Sequence, residues 1–199
     1  MADLEKTGKN LEGRGFRVHR FASGAEAAEF LAQTLHGTSI GIGGSVTIDT
    51  LGVYDRLCGS NEVFWHWKNH APETRERAGK VETYLCSANG VSENGEIVNI
   101  DGFGNRVAPT IYGPERVFLV VGRNKIAPDL TGAIDRARNI AAPLNARRLN
   151  RHTPCAVGEP RCHDCRSPEK VCGVMTVFFM PPTSIKEFHV LLVNEDLGY

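Results

Sequence analysis

The chain has 199 residues, with 23 basic and 23 acidic side chains and therefore no net formal charge. That balance argues against a protein that coats nucleic acid or an anionic membrane, where a basic excess is expected. A composition of 41% hydrophobic and 23% charged residues excludes disorder and fits an ordinary globular core. One domain spanning 1–199 is expected at this length. No apolar run approaches the roughly 20 residues that span a bilayer. The polar start, Met1 to Lys9, has no signal-peptide pattern, so a cytoplasmic location is expected.

In chain order, residues 1–14 read as a polar lead-in of helical character, and 15–21 (GFRVHRF) alternate as a short strand does. Ser23 followed by Glu26 is a capping-box pattern. Ala27, Phe30, Leu31 and Leu35 then recur at helical spacing, predicting a helix over 24–36. Residues 38–44 read as a strand running into glycines, followed by a helix over 47–57. Residues 61–78 read as a loop holding Trp65, His66, Trp67 and His70, then a charged helical piece. Both tryptophans are read as packing residues, with pocket lining as the alternative. Residues 81–87 form a strand. Asn94-Gly95 is a hairpin signal, with 96–100 as the returning strand. Residues 107–111 read as a short strand or a helix start. The run VFLVV at 117–121 is that of a parallel strand buried on both faces. A helix opens at Asp129 and runs to about Ala142, where Pro143 stops or bends it. Residues 174–179 and 189–193 close the chain as two strands, read as a paired edge. Alternating strands and helices predict an α/β domain with an open, mostly parallel sheet, plus a C-terminal Cys-rich loop and strand pair.

Four features carry chemistry. The first is the turn Gly41, Ile42, Gly43, Gly44, Ser45, Val46, Thr47 between a strand and a helix. Its glycines allow close backbone approach, and Ser45 and Thr47 add hydroxyls, so it suits a phosphate or carboxylate. It lacks the third glycine of a dinucleotide fingerprint and the lysine of a Walker A loop, and a plain turn is the bland alternative. The second is the polar stretch 87–106 (SANGVSENGEIVNIDGFGNR). Glu93 is a candidate base or nucleophile, Asp101 a second carboxylate, and Arg106 a clamp for a substrate carboxylate. Asn89 and Asn105 are candidate binding residues. Hairpin-turn chemistry explains the same composition. The third is Arg123, Asn124 and Lys125, just beyond the apolar run, where a parallel sheet places its ligand crevice.

The fourth is cysteine. Of six, four fall at C-x6-C-x2-C-x6-C spacing: Cys155, Cys162, Cys165 and Cys172, within a Pro- and Gly-rich loop over 152–172. Clustered cysteines in a reducing compartment read as a metal site before disulfides. Four thiolates suit zinc or a 4Fe-4S iron–sulfur cluster, and the spacing is typical of neither a zinc finger nor a ferredoxin. Cys58 and Cys86 read as buried inert thiols. His19, His36, His66, His70 and His189 have no evident partners in the sequence.

The strings GIGGSVT (41–47), SANGVSENGEIVNIDGFGNRV (87–107), VVGRNKI (120–126), NIAAPLNA (139–146) and VNEDLGY (193–199) together resemble the lactate-utilization, or LUD-domain, family. The resemblance covers nearly the whole chain. It implies a fold similar to that of sugar-phosphate isomerases and coenzyme A transferases, with Gly43, Gly44 and Ser45 as the anion-binding turn. It implies a small anionic substrate, a carboxylate or phosphate, and iron–sulfur oxidoreductase subunits as partners in oxidising lactate to pyruvate. A homo-oligomer is compatible with it. The four-cysteine loop marks a cysteine-bearing branch, for which an iron–sulfur cluster is favoured and zinc is the alternative. Three readings therefore stand: a subunit of a lactate-oxidising system, an isomerase- or transferase-like enzyme with a structural zinc, and a non-catalytic assembly module.

Overall fold

The computed structural model describes residues 3–199; Met1 and Ala2, the start of the polar lead-in, lie outside the described residues. Its frame is a six-stranded sheet built from β1 (Arg17–Phe21), β2 (Ser39–Ile42), β3 (Glu62–Trp65), β4 (Thr83–Ser87), β7 (Arg116–Gly122) and β10 (Glu187–Val193). The order is β1-β10-β7-β4-β2-β3, and every neighbouring pair is parallel. The fold is the open α/β class expected from the sequence.

Apolar runs in the central strands follow from that position. Val117, Leu119 and Val121 of β7 point into one core with Phe188, Val190 and Leu192 of β10. Phe118 and Val120 point into the opposite core with Leu191 and Val193. That second face is covered by α2 (Gly24–Thr34), α3 (Val46–Leu51) and α4 (Tyr54–Cys58), through Ala27, Leu31, Ile48 and Leu57. Ser23 caps α2, its hydroxyl accepting from the Glu26 amide, and the Glu26 carboxylate accepts from the Ala22 amide.

The first face is covered by α1 (Leu4–Gly13) and a second, four-stranded sheet, β8-β5-β6-β9, built from β5 (Gly90–Ser92), β6 (Ile97–Asp101), β8 (Ile126–Ala127) and β9 (Val174–Phe178). Val91, Ile97 and Phe178 join the shared core, while Val98 and Ile100 face a long helix. That helix comprises α6 (Leu130–Arg136), a π turn Ala137–Ala141 and α7 (Ala142–Arg148). Pro143 does not stop it. The proline has no N–H for the carbonyl four residues back, and the backbone widens to a π turn beside it and continues.

Four other expectations are corrected. The two last strands are not a pair: β9 is the edge of the small sheet and β10 sits inside the large one. The periods of β9 and β10 reveal strand character but not partnership, which depends on the intervening turn. The helix expected over 47–57 is two short helices, broken where Gly52 takes a left-handed φ of 63°. The stretch after Asn61 holds β3, whose Trp65 is fully buried. Residues 108–110 form a 3-10 turn, and α5 (Thr74–Arg77) and α8 (Pro154–Val157) are single turns. Of the two lone cysteines Cys86 is buried, but Cys58 is exposed.

Four of the five histidines do have partners: His36 meets the Ser60 hydroxyl and the Gln33 carbonyl, His70 meets the His66 carbonyl, and the other two meet each other. His19 on β1 and His189 on β10 share a hydrogen bond of 2.9 Å across the parallel pair, and His189 stacks on Phe118. Burial lowers the His189 pKa to about 4, although the Glu187 carboxylate opposes the shift. Burial lowers His19 as well. A folded-state pKa below the unfolded one means that the unfolded chain takes up more protons as pH falls. The contribution is absent above the ordinary value of 6.5 and becomes destabilising from there down to about 4, by at most about 1.4 kcal/mol per pH unit. Urea unfolding between pH 7 and 5 should therefore show a stability loss that His189→Asn reduces; an unchanged slope in the variant would contradict this assignment.

Candidate functional site

Parallel strands all end on one edge of their sheet, and five of the six deliver residues to a single cavity there. The turn after β2 contributes Gly44, Ser45 and Thr47, and the turn after β3 contributes His66 and Trp67. Ser87 ends β4 and is followed by Ala88 and Asn89. Lys125 follows β7, and Tyr199 lies beyond β10. The cavity measures about 450 Å³. This is the carboxyl-end crevice in which open α/β sheets bind ligands.

Lys125 lies at its floor. The residue closes a 3-10 turn, Arg123–Lys125, and is 3% exposed. Its Nζ donates to Thr47 Oγ1 and to Ser87 Oγ, both at 2.7 Å. Each hydroxyl has its own proton committed to a backbone carbonyl. Ser87 Oγ donates to Val120 at 2.6 Å and Thr47 Oγ1 to Leu197 at 3.2 Å. Burial first, then the positive charges of Arg136 and Arg106, lower the Lys125 pKa to about 7.

Arg106 organises the next wall. Its guanidinium donates to Asn99 Oδ1 and Asn89 Oδ1, both at 2.8 Å, and to the carbonyls of Ser87 and Ile100. Its Nε lies 3.3 Å from Asp101 Oδ2. The other Asp101 oxygen accepts from the amides of Phe103 and Gly104, closing the turn that carries Asn105. Tyr84 donates to the Asn105 carbonyl, and burial raises its pKa well above 10. Arg136 reaches from α6 to the carbonyls of Asn89 and Asn124, fixing both loops.

The rim is cationic and aromatic. Arg148 of α7 lies over the Trp67 ring at 4.6 Å and donates to the Tyr199 hydroxyl, which in turn donates to Asn145. Arg75 lies over Phe103. Residues 168–171 line the cavity, and these belong to the segment between Cys165 and Cys172. Gly102 packs so closely on the Val171 backbone that a Cβ there would stand 2.8 Å from its Cα.

The cysteine loop thus forms part of the cavity wall. All four cysteines are free thiols, and half-buried. Cys162 Sγ accepts from the Asp164 amide at 3.4 Å and from Arg138 at 3.4 Å. Burial raises the Cys172 pKa, and each of the other three thiols adds to the rise. Among the described residues no three His, Cys, Asp or Glu side chains stand close enough to hold one metal ion. The donor set has the right chemistry for zinc or a cluster, while its arrangement leaves the thiols apart.

Asn89, Asp101, Asn105, Arg106, Gly44, Ser45, Thr47 and Lys125, all expected from the sequence, meet at the cavity. Others do not. Glu93 sits at the far tip of the β5–β6 hairpin, because β5 runs away from the cavity and β6 returns to it. There it pairs with Lys6 at 3.0 Å and accepts from the Asp3 amide. Both contacts lower its pKa, opposite to what a base poised near neutrality needs. Arg123 turns outward to Asp196, and Asn124 holds the tail through Leu197 and Gly198. Gly41 and Gly43 serve packing: a side chain at Gly41 would collide with the Ala78 carbonyl, and one at Gly43 with the Tyr84 hydroxyl. Helix α3 has only six residues, so its dipole is short and the cationic side chains dominate the field.

Arg75, Arg148, Lys170 and Tyr199 were missed as site residues, and Trp67, read by default as packing, takes its alternative role as pocket lining. NIAAPLNA and VNEDLGY stood out as strings, but Arg148 and the closing Tyr199 come together only through the fold.

Fold and cavity together define an open α/β protein with a polar crevice at the carboxyl ends of its parallel strands. The LUD-domain family model matches residues 4–193, and the chain belongs to this family. No curated protein matches it. The crystal structure of a DUF162 family protein from Deinococcus radiodurans superposes with a TM-score of 0.55 at 14% identity, covering 96% of this chain and 95% of that one. At that identity the likeness speaks for the fold. Among the described residues no helix is long and apolar enough to cross a membrane.

Gly41→Ala should lower stability by at least ~1–3 kcal/mol through overpacking and leave the affinity of the folded protein for small anions unchanged. Calorimetric titration with pyruvate beside chemical denaturation checks both, and an affinity loss without a stability loss would return Gly41 to the site.

Proposed function

We propose that this LUD-domain protein binds a small carboxylate of the lactate and pyruvate type in the cavity, as a subunit of a system that interconverts hydroxy and oxo acids. The observation that carries the proposal is the charge of the wall. Apart from Lys125, five cationic side chains line it, Arg75, Arg106, Arg148, Arg151 and Lys170, against two carboxylates, Asp101 and Glu169. In a chain with no net formal charge, that concentration is a local device for holding an anion. A cavity of about 450 Å³ accommodates a three-carbon acid with its water. The family's lactate-utilization character points the same way.

The four cysteines are proposed to hold a metal group, with an iron–sulfur cluster favoured over zinc. When bound, a cluster supplies one-electron chemistry, whereas zinc with four thiolates supplies a structural clasp. Cys155, Cys162, Cys165 and Cys172 would be drawn together by it, and residues 168–171 would carry that order into the cavity wall. Iron–sulfur oxidoreductase subunits remain the expected partners. The isomerase- or transferase-like reading loses its base, because Glu93 is tied to α1 away from the cavity.

Protein purified without oxygen tests both parts. Pyruvate and lactate should bind, and Arg148→Ala should weaken both about tenfold, as loss of a charge-assisted contact does, with its thermal midpoint nearly unchanged. Iron and sulfide with visible absorbance, lost in a Cys162→Ser, Cys165→Ser variant, are expected. Equal affinity for a neutral analogue would overturn the carboxylate reading. One colourless zinc per chain would overturn the redox one.

A further inference from the structure

We infer that Lys125 is a catalytic amine whose Nζ condenses with the carbonyl carbon of a bound 2-oxo carboxylate, forming an imine at the floor of the cavity. This rests on the carboxylate-binding reading above and names the chemistry that follows from it.

The hydrogen-bond inventory of the nitrogen carries the argument. Ser87 and Thr47 have given their protons to the carbonyls of Val120 and Leu197, so both oxygens can only accept from Nζ. A neutral amine has two hydrogens, and these two oxygens use both. What remains on the nitrogen is its lone pair, in a residue that borders the cavity. The same inventory argues against a serine nucleophile with a lysine base. That arrangement needs the Ser87 proton directed at Nζ, and it is directed at Val120.

The surroundings favour the neutral amine. Among the described residues no carboxylate forms an ion pair with Lys125, while Arg106 and Arg136 stand near enough to oppose its protonation. Burial and these charges lower its pKa to about 7, so the free amine is accessible near neutral pH. Arg106 and the rim cations offer the carboxylate of an oxo acid its counter-charge, which would leave the adjacent carbonyl to face Nζ.

The chemistry balances without an oxidant. The Nζ lone pair forms a bond to the carbonyl carbon as the C=O π pair moves to oxygen, which gains a proton. The resulting carbinolamine then loses its hydroxyl and its remaining N–H proton together as water to give the C=N bond. Amine and oxo acid are converted to imine and water, and hydrolysis reverses the step. A hydroxy acid has no carbonyl and binds without reacting, so the site distinguishes the two partners of a hydroxy-acid and oxo-acid pair.

The test is incubation of the full chain with pyruvate and cyanoborohydride at pH 7, followed by peptide mass mapping, beside calorimetric binding of pyruvate without reductant. The expected result is a reduced pyruvyl adduct at Lys125, at least roughly tenfold above any surface lysine because ordinary lysines are almost wholly protonated. Lactate should compete with it. Lys125→Met and Lys125→Arg should abolish it while keeping the circular dichroism of the parent. Pyruvate binding with no adduct at Lys125 would overturn the imine and leave the carboxylate reading intact. Neither binding nor adduct would overturn both. Adducts spread over surface lysines without Lys125 would likewise overturn the imine.

Discussion

Lys125 is buried with no carboxylate to meet it among the described residues, and the cavity is organised around that constraint. Desolvating an ammonium costs several kcal/mol unless it is paired. Its nitrogen finds only two hydroxyls, and Arg106 and Arg136 raise the cost further. A group so placed gives up its proton near neutrality. The neighbouring chain must then hold two hydroxyls in fixed orientation. It does so with strand carbonyls and the C-terminal tail: Val120 from β7 takes the Ser87 proton, and Leu197 takes that of Thr47. Tail, central strands and α3 are thus joined at one nitrogen.

The second organising group is Arg106. Its guanidinium binds acceptors from β4, the start of the hairpin and β6. Removing it would leave several buried oxygens without donors, so its value to the fold and to an anionic ligand cannot be separated by deletion alone. Asp101 belongs to the same network. Its oxygens are spent on Arg106 and on two turn amides, and a carboxylate so engaged is a positioning group rather than a free base.

The sequence revealed the layers because burial on both faces demands long apolar runs, as in VFLVV, and because helices keep a 3.6-residue period. It revealed half of the cavity for a related reason: residues just beyond parallel strands converge, so Ser45, Asn89 and Lys125 could be placed by strand order alone. It failed where a residue's role depends on direction or on distant chain. Glu93 and Asn89 lie four residues apart, at opposite ends of β5, and only the hairpin's direction separates them. Arg148 and Trp67 are far apart in sequence and meet because the π turn lets the helix run past Pro143 to the rim. Gly41 and Gly43 looked like ligand-binding glycines, yet the space they leave is filled by Ala78 and Tyr84. The cysteine loop was legible as chemistry, but its position against Gly102, as a wall of the cavity, was not.

The central claim is that Lys125 carries a near-neutral amine, and its titration measures that most directly. In protein labelled with carbon-13 at lysine Cε, assigned by comparison with Lys125→Met, one resonance should titrate with a midpoint of about 7. A Lys125 resonance that moves only near the ordinary value of about 10.4 would mean a permanently charged ammonium at the cavity floor, and would contradict the claim of a free amine there.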